Sequence, residues 1–349
     1  MLLVFGIAAM IWGVGRLFGL SGAVIWVLIA LLWAAVFGLH LLLPEGHGLR
    51  MATGESAVLW GIVGALAVVV LSYAKGLSWL KARAVVPQDE VPVAVTAGAF
   101  APGELPRYAR HIVLRELGGP GQKKLKESKV LVVGAGGLGS PVLLYLAAAG
   151  VGRIGVIDDD TVDASNLQRQ VIHSEGAIGL PKVQSAMAAM KGVNPFVDVR
   201  PYGRRLSTEI AEALFAEYDV ILDGTDNSDT RYLVNRAAVA TGKPLISGAI
   251  TQWEGQLSVF DPARDAPCYQ CVFPKAPAAE LAPSCAEAGV VGPLPGVVGT
   301  MMALEAIKVI SGAGHVLRGE LLIYDGLWGE SRKIGVKRRA DCPVCGAAR

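Results

Sequence analysis

The chain has 349 residues, of which 52% are hydrophobic and 18% are charged, whereas about a quarter of the residues in an average soluble domain are charged. This composition excludes a disordered chain, a collagen-like repeat and a disulfide-stapled miniprotein. It is also too apolar for one average soluble domain, and the formal net charge of +2 provides no basic field for a nucleic-acid partner.

The charged residues are distributed unevenly along the chain. Residues 1–83 have five Lys/Arg and two acidic residues, so the remaining 266 residues hold 27 basic and 28 acidic side chains. The net charge therefore divides into +3 for the first part and −1 for the second. The second part has the composition of an ordinary soluble enzyme, and the excess of apolar residues is concentrated in the first.

Two uncharged runs in the first part are long enough to cross a membrane. One run of 28 residues ends before Glu45, and another of 19 residues ends before Lys75. A hydrocarbon core of about 30 Å requires about 20 apolar residues in a helix. We therefore predict transmembrane helices near residues 22–43 and 57–74.

The first fifteen residues are equally apolar but form a shorter run. As an α-helix they would be about 22 Å long, so they form a third span only if the helix continues to Phe18 and Arg16 extends to the membrane surface. They lack the basic start and the cleavage site of a secretory signal peptide. Residues 1–83 are therefore interpreted as a membrane anchor of two or three helices rather than the buried hairpin of a soluble fold.

The orientation of this anchor follows from its basic residues. Three of them lie just after the second predicted span, whereas the loop before that span has one Arg and two Glu. Because basic residues are concentrated in cytoplasmic loops, we expect a multi-pass protein of the inner membrane whose C-terminal part lies in the cytoplasm. The three residues are Lys75, Lys81 and Arg83.

The next segment, residues 84–106, is predicted to be an extended linker. It has four prolines and no helical periodicity, a pattern typical of linkers. A soluble domain without internal repeats or low-complexity tracts is predicted over residues 107–349.

A strand, a glycine turn and a helix follow one another at the start of this domain. Lys129–Val133 is a short apolar run, and Pro141–Ala149 has helical periodicity. Glycines in such a turn let the backbone approach phosphate groups at the positive end of a helix. A second strand, Arg153–Ile157, ends at Asp158–Asp160, about twenty residues further on, where an acid binds ribose hydroxyls. The pattern fits any dinucleotide-binding enzyme and also a purely structural turn. The glycines are Gly134, Gly136, Gly137 and Gly139.

Polar residues after the acidic strand favour one of these possibilities. Two cations and an amide follow it, and another apolar strand, Asp219–Leu222, ends in a run that contains carboxylates. Cations bind phosphate oxygens and carboxylates bind hard metal ions, so together they indicate chemistry on a triphosphate. The residues are Asn166, Arg169, Lys182, Asp226 and Asn227.

Several ordered motifs in residues 107–349 resemble those of the MoeB/ThiF/HesA family, which is related to the ubiquitin-activating enzymes. The motifs are Arg107–Ile112, Gly134–Gly139, Asp158–Asp160, SNLQRQ, GLPKV, GTDN and GQLSVF. The resemblance implies an α/β fold: a Rossmann-like, doubly wound and mainly parallel sheet with a C-terminal antiparallel β portion and a four-cysteine zinc site. It does not extend to the first third of the chain.

The resemblance also implies roles for individual residues. Family members use ATP and magnesium to adenylate the C-terminal glycine of a small ubiquitin-like sulfur carrier. By resemblance, Asp158 binds the ribose hydroxyls. Asn166, Arg169 and Lys182 contact the phosphates, because a carboxylate that attacks a polyanion needs cations to offset the repulsion. The remaining predicted nucleotide contacts are the glycine loop, Asp160 and Asn227.

Two further implied roles concern magnesium and a second subunit. Asp226 resembles the magnesium-linked carboxylate of the family. Arg110 resembles an arginine that family members insert into the active site of the other subunit, which implies a homodimer. The residues predicted to carry the adenylation step are Arg110, Arg169, Lys182 and Asp226, and this step needs no protein nucleophile.

Two C-x-x-C pairs, separated by 70 residues, are predicted to bind one structural zinc ion. Each pair can supply two thiolates to a tetrahedral site, and cytoplasmic domains rarely contain disulfides. The resemblance to the family includes the same four cysteines. The alternative, a thioredoxin-like redox pair, does not occur in two copies. The four residues are Cys268, Cys271, Cys342 and Cys345.

The fifth cysteine, Cys285, lies in the segment PSCAEAG. It resembles a cysteine that some family members use for a persulfide or acyl adduct during sulfur transfer. A free cysteine is also commonly an inert, small hydrophobic residue, so both roles are open.

His173 follows SNLQRQ closely and is expected near the nucleotide site.

The leading hypothesis is a membrane-tethered adenylyltransferase for a MoaD-like or ThiS-like carrier that ends in Gly-Gly, in molybdenum cofactor or thiamine biosynthesis. Only four residues follow Cys345, so a separate sulfurtransferase is expected to supply the sulfur. One alternative is an NAD(P)-binding oxidoreductase, which the glycine loop and Asp158 would also suit. Another is a catalytically inactive membrane scaffold that binds a carrier. The related tRNA-modifying dehydratases are disfavoured by the paired cysteines and the absence of a basic field.

Overall fold

The computed structural model describes residues 1–54, 56–84, 100–276 and 288–346. The chain divides into two compact units, Met1–Pro92 and Val93–Arg349. Most of the predicted linker, residues 85–99, lies outside the described residues.

The described residues of the first unit, 1–54 and 56–84, form four helices. They are α1 (Leu2–Leu17), α2 (Gly22–Leu42), α3 (Gly48–Thr53) and α4 (Ala57–Ala84). Trp60 is buried together with Val4 and Val36. Trp33 stacks on Phe37 with the ring centroids 5.3 Å apart, and its Nε1 donates to the carbonyl oxygen of Trp60 at 3.0 Å. Two of the tryptophans therefore pack between helices of the unit.

α2 and the first twenty residues of α4, Ala57–Gly76, are long and apolar enough to cross a membrane. Their mean hydropathies are 2.5 and 2.2, and only 11% of each stretch is buried within the protein. Large apolar side chains such as Leu31, Val68 and Leu71 are more than half exposed. α1 has 16 residues and is therefore about 24 Å long, which is shorter than a hydrocarbon core of about 30 Å.

Within its described residues, the second unit is built on one eight-stranded sheet. Its strands are β1 (Lys129–Val133), β2 (Arg153–Ile157), β3 (Asp198–Tyr202), β4 (Val220–Asp223), β5 (Leu245–Ile250), β6 (Glu254–Phe260), β7 (Glu320–Asp325) and β8 (Glu330–Gly335). Their order is β3-β2-β1-β4-β5-β6-β7-β8. The pairs from β3 to β5 are parallel, and the pairs from β5 to β8 are antiparallel. The prediction of an α/β fold with a mixed sheet, parallel in its first part and antiparallel at its C-terminal end, is confirmed.

Helices cover both faces of this sheet. They are α5 (Ala109–Ile112), α6 (Gly118–Glu127), α7 (Gly139–Ala149), α8 (Lys182–Val193), α9 (Thr208–Ala216), α10 (Ser228–Ala240), α11 (Tyr269–Val272) and α12 (Pro293–Ser311). On β1, Val130 and Val132 pack with α6, α7, α8 and α12, whereas Leu131 and Val133 pack with α9 and α10. Successive residues of a strand point to opposite faces, so the unbroken apolar run of β1 fills two cores.

The first two strands have the predicted bounds, and two other elements differ slightly from prediction. α7 begins two residues before the predicted helix, because the last glycine of the turn already belongs to it. β4 begins one residue late, at Val220. The carboxylate of Asp219 instead accepts the backbone N–H of Lys129 at 2.8 Å, which fastens the start of β1.

α12 is as apolar as a short transmembrane helix but lies in the core of the second unit. Its mean hydropathy is 1.4, and half of its residues are buried. Val298, Met302 and Ala306 pack with the residues of α7 and of the sheet. By composition alone, α12 could therefore be taken for a membrane-spanning helix. Its burial in the second unit shows that it is a core helix.

The packed part of the second unit begins before Arg107. The carboxylate of Glu104 is fully buried and accepts from Lys126 Nζ at 2.7 Å and from the Tyr108 hydroxyl at 3.1 Å. Asn194 donates to the Tyr108 hydroxyl at 2.9 Å. The end of the predicted linker is therefore fixed to the domain by a buried ion pair.

Candidate nucleotide site and cysteine cluster

The glycine loop lies at the carboxyl end of β1, where the strand order reverses. β1 pairs with β2 on one side and with β4 on the other, and ligands of open α/β sheets bind at such a reversal. Gly134 has a φ of 95°, which favours glycine. α7 starts at Gly139, so the positive end of a helix of eleven residues faces this edge.

The loop is packed too tightly for a side chain at its last position. A Cβ atom at Gly139 would lie 2.0 Å from the carbonyl oxygen of Gly134. At Gly136 the nearest atom to such a Cβ is Gln170 Nε2, at 3.7 Å. Backbone atoms therefore exclude a side chain at Gly139, whereas a methyl group at Gly136 would make only an ordinary van der Waals contact.

We expect Gly139→Ala to destabilise the domain by about 3 kcal/mol or more, because backbone atoms must move to admit the methyl group. Gly136→Ala should change the free energy of unfolding by less than about 1 kcal/mol. Denaturant unfolding of both variants measures the difference. Equal loss in the two variants would contradict the close approach of Gly139 to Gly134.

Asp158 lies at the end of β2 and holds the glycine loop. Its carboxylate accepts the N–H of Ala135 at 2.8 Å and the N–H of Asp160 at 2.9 Å. Burial raises the pKa of this carboxyl, although both backbone donors act in the opposite direction. The predicted ribose-binding carboxylate is thus adjacent to the predicted phosphate loop.

His173 forms a hydrogen bond with the backbone of the same glycine loop. Its Nε2 lies 3.0 Å from the carbonyl oxygen of Ala135, and its Nδ1 lies 2.9 Å from Ser185 Oγ. A carbonyl oxygen only accepts, so Nε2 carries the proton and Nδ1 accepts from the hydroxyl. Burial lowers the pKa of His173, which favours this neutral form.

Acidification should therefore destabilise the domain through His173. Its pKa in the fold lies below the ordinary value of 6.5, so the unfolded chain binds a proton that the folded chain resists. The stability present above pH 6.5 is lost as the pH falls through 6.5 towards the folded pKa. His173→Gln keeps a donor and an acceptor without titrating, and should flatten the pH dependence of the unfolding free energy. An unchanged slope would place the titrating group elsewhere.

Lys182 is the first residue of α8, and its ammonium group is buried. Nζ donates to the carboxylate of Asp160 at 2.7 Å, and 66% of the Asp160 side chain is exposed. The backbone N–H of Lys182 also donates to the carbonyl oxygen of Asp160 at 2.9 Å. Asp160 therefore orients a cation that would otherwise be unpaired at this edge of the sheet.

Arg169 lies beside the glycine loop as well. Its Cγ is 3.8 Å from the Cβ position of Gly137, and its Nη1 donates to the carbonyl oxygen of Ser165 at 3.2 Å. Asn166 donates to the hydroxyl of Ser165 at 3.2 Å. The SNLQRQ segment thus carries a cation and an amide to the rim of the loop.

The loop after β4 is shaped by two residues that have no predicted role. Asp223 is buried and accepts from the hydroxyls of Thr225, at 2.6 Å, and Ser247, at 3.1 Å. Arg231 lies 3.6 Å from the Asp223 carboxylate and also donates to the carbonyl oxygen of Thr225. An acid that ends a strand, followed by an arginine in the next helix, is the sequence signal for this pair.

Asp226 lies exposed on this loop, where its carboxylate faces solvent. Asn227 caps α10, because its Oδ1 accepts the N–H of Thr230 at 2.9 Å. The side chain of Arg110, on α5, is exposed and forms no hydrogen bond or ion pair with a described residue. Their predicted roles with magnesium, nucleotide and second subunit stay predictions.

The four paired cysteines lie together and are buried. Their Sγ atoms are within 4.8 Å of one another, and three of the separations are 3.8, 3.6 and 3.4 Å. Thiolates at about 2.3 Å from a tetrahedral zinc ion would be about 3.8 Å apart. The residues Cys268, Cys271, Cys342 and Cys345 therefore fit one metal ion, and they form no disulfide.

Nitrogen donors around the sulfur atoms suit thiolates. The backbone N–H of Arg339 donates to Cys271 Sγ at 3.4 Å, and Asn235 Nδ2 donates to Cys268 Sγ at 3.8 Å. Burial raises the pKa of the Cys268 and Cys345 thiols, so a bound cation is needed to keep both as thiolates. Asn235, on α10, has no local sequence signal. Cys285 lies outside the described residues.

A glycine loop, a carboxylate and two cations at the carboxyl ends of the strands of a mainly parallel sheet are the features of a nucleotide-binding α/β protein. The ThiF family model matches residues 108–344, and the chain belongs to the ThiF family.

Three similar proteins have names that agree with this class. The chain is 51% identical over 247 residues to the sulfur carrier protein adenylyltransferase of Thermus thermophilus, across 70% of this chain and 91% of that protein. It is 49% identical over 257 residues to the probable adenylyltransferase/sulfurtransferase MoeZ of Mycobacterium tuberculosis, across 72% and 65%. It is 46% identical over 267 residues to the adenylyltransferase and sulfurtransferase MOCS3 of Mus musculus, across 74% and 58%.

Solved structures share the fold at lower identity. The crystal structure of E. coli MccB with ATP has a TM-score of 0.60 and 24% identity, and covers 69% of this chain and 74% of that one. The selenomethionine form of PaaA has a TM-score of 0.59 and 21% identity, and covers 77% and 83%. The prediction of an adenylyltransferase of the ThiF/MoeB type is confirmed by the family match and the relatives, and no oxidoreductase is named among these relatives.

Proposed function

We propose that the protein adenylates the C-terminal glycine of a ubiquitin-like sulfur carrier, MoaD-like or ThiS-like, in molybdenum cofactor or thiamine biosynthesis. The observation that carries this proposal is the convergence of the glycine loop, Asp158, Arg169 and Lys182 at one sheet edge. The names of the relatives from T. thermophilus and Haloferax volcanii, the latter a SAMP-activating enzyme E1, support a protein carrier as substrate.

In this reaction a carboxylate oxygen of the carrier attacks the α-phosphorus of ATP. The new bond joins that oxygen to phosphorus, the bond from phosphorus to the β-phosphate oxygen breaks, and pyrophosphate leaves. Lys182 and Arg169 offset the repulsion between the two anions and the charge that grows on pyrophosphate. Asp158, held by the N–H of Ala135, fixes the ribose and with it the position of the α-phosphate.

Asp226 is the residue we assign to magnesium. Mg²⁺ is commonly bound through one or two carboxylates together with substrate phosphates, and the Asp226 carboxylate is exposed at the carboxyl end of β4. A bound Mg²⁺ would neutralise charge on the triphosphate. The buried pair of Asp223 and Arg231 fixes the loop that presents Asp226.

The buried cysteine cluster is the proposed zinc site, with a structural role. Its four thiols leave no open position for a substrate, and it joins residues near 270 to residues near 344.

Arg110, which is exposed and has no partner among the described residues, supports the proposal of a homodimer in which each subunit inserts this residue into the active site of its partner. A separate sulfurtransferase would complete the transfer of sulfur.

We place the protein in the inner membrane, with α2 and α4 crossing it and the second unit in the cytoplasm. The support is the exposure of long apolar helices and the basic residues after the last span. Membrane fractions should retain the protein after alkaline carbonate extraction. A fluorescent protein fused after residue 349 should lie in the cytoplasm and fluoresce there. Release by carbonate would contradict the anchor.

Carrier-dependent exchange of labelled pyrophosphate into ATP tests the adenylation. We expect exchange with one Gly-Gly-ended carrier and none when its last glycine is removed. A catalytically inactive scaffold would give no exchange with any carrier, and Asp226→Ala would then leave the biological function intact. Exchange that Asp226→Ala abolishes would exclude the scaffold.

A further inference from the structure

A cationic surface lies on the sheet edge opposite the glycine loop. The last residue of β6, Phe260, pairs with the first residue of β5, Leu245, so the end of β6 lies where the parallel strands begin. Arg264 follows β6, and Arg318 precedes β7, bridged to Val259. These two arginines line two adjoining concavities of about 400 and 750 Å³.

The larger concavity has an excess of positive charge. Its lining includes five cations and one acid: Arg264, Arg318, Lys337, Arg338, Arg339 and Asp265. Two further acids lie against these cations, since Asp261 accepts from Arg318 Nε at 2.8 Å and Asp341 lies 2.7 Å from Arg339. Five cations and three acids therefore meet at this concavity, beside the cysteine cluster, whose Cys271 Sγ accepts the backbone N–H of Arg339.

Three of these cations have N–H groups that are available to a ligand. Arg318 Nη2 is shielded from solvent and has no hydrogen-bond acceptor among the described residues. Lys337 is exposed and forms no ion pair within the described part of the chain, and Arg264, 3.8 Å from Asp261, is 69% exposed. Arg338 differs, because it donates to the carbonyl oxygens of Pro262 and Cys345 and so fixes the wall of the concavity.

We propose that this concavity binds a phosphate group, either a free phosphate or the headgroup of an anionic lipid. Guanidinium groups bind phosphate oxygens through paired N–H donors, and Arg318 and Arg264 supply such donors beside the ammonium group of Lys337. The site lies at the edge of the sheet away from the nucleotide loop, so it is separate from ATP. It does not depend on the proposed adenylation.

Hydrogen exchange of the full chain in phosphatidylcholine nanodiscs tests the site. The probe is inorganic phosphate, compared with chloride at equal ionic strength, because exposed charges are screened by salt. We expect phosphate to slow exchange in peptides that cover residues 261–266 and 316–320. Protection that is equal in chloride would overturn the proposal.

Paired variants locate the effect. Arg264→Gln with Lys337→Gln removes two exposed charges and leaves the bond between Arg318 and Asp261 intact, so the fold should persist; it should weaken phosphate binding at least about tenfold, or by about 1.4 kcal/mol. Lys123→Gln with Lys129→Gln removes two exposed charges elsewhere and should keep the wild-type affinity. Equal affinity in the first pair, or equal loss in both, would overturn the site.

A lipid arm identifies the source of the phosphate. Nanodiscs that contain phosphatidylglycerol should give the same protection without added phosphate if the ligand is a headgroup. Protection that needs added phosphate in both lipids indicates the free ion. Protection in neither condition would contradict the proposal.

Discussion

Lys182→Met is expected to lower carrier-dependent ATP–pyrophosphate exchange by about 10²- to 10³-fold, the usual effect of removing one preorganised donor to developing charge. The buried ammonium group of Lys182 is paired with Asp160 beside the glycine loop, and methionine keeps most of the length of the side chain without its charge. Because the Asp160 carboxylate is largely exposed, it does not become a buried unpaired charge, and the fold should persist. Steady-state exchange and a thermal unfolding curve measure the two effects separately.

Lys191→Met is the matched control on the same helix. Lys191 Nζ donates to the carbonyl oxygens of Val197 and Pro195, away from the glycine loop. This variant should lose about 1 kcal/mol of stability and keep its exchange rate. If Lys182→Met retained wild-type exchange, Lys182 would have no part in the binding of the triphosphate.

Cys342→Ser is expected to remove zinc from the purified protein and to lower the free energy of unfolding by more than about 4 kcal/mol, as the loss of a structural metal does. The reason is that four buried thiols lie within 4.8 Å of one another, so three of them do not complete a tetrahedral site. Metal analysis of wild-type protein should give one zinc per chain. Denaturant unfolding gives the loss of stability.

Cys285→Ser serves as the control for this variant, because Cys285 is not one of the four proposed zinc ligands. It should keep full zinc content and the stability of the wild-type protein. Undiminished zinc in Cys342→Ser, or its absence from the wild-type chain, would contradict the metal site. A loss of sulfur transfer in Cys285→Ser with adenylation intact would assign Cys285 to the later step.

The local parts of the nucleotide site could be predicted from the sequence. β1 and β2 are short apolar runs followed by glycines or acids, so the residue types within each run indicate where the strand ends. The positions of Asp158, Arg169 and Lys182 at one edge follow from the rule that parallel strands end on the same side. The antiparallel strands β6 to β8 were implied only by the family resemblance, because their pairings join residues far apart in sequence.

The contacts that support the site could not be predicted in this way. His173 was expected near the site, but its contact with Ala135 spans 38 residues, and the contact of Asp223 with Ser247 spans 24. No local pattern identifies such partners. The burial of α12 could not be predicted either, because its composition is also typical of a membrane-spanning helix. The prolines of residues 84–106 predicted an extended linker, and the contact that fixes its last residues, between Glu104 and Lys126, spans 22 positions.

The buried pair of Glu104 and Lys126 would have a mechanical consequence in the membrane-tethered enzyme that we propose. Any pull that travels along the chain from residues before 100 reaches Glu104 before it reaches α5. To pass further, the force must separate two charges that are 2% and 0% exposed, which costs about 3–5 kcal/mol. If residues 1–83 anchor the protein as proposed, this ion pair would resist such a pull at residue 104, before it reaches Arg110 on α5.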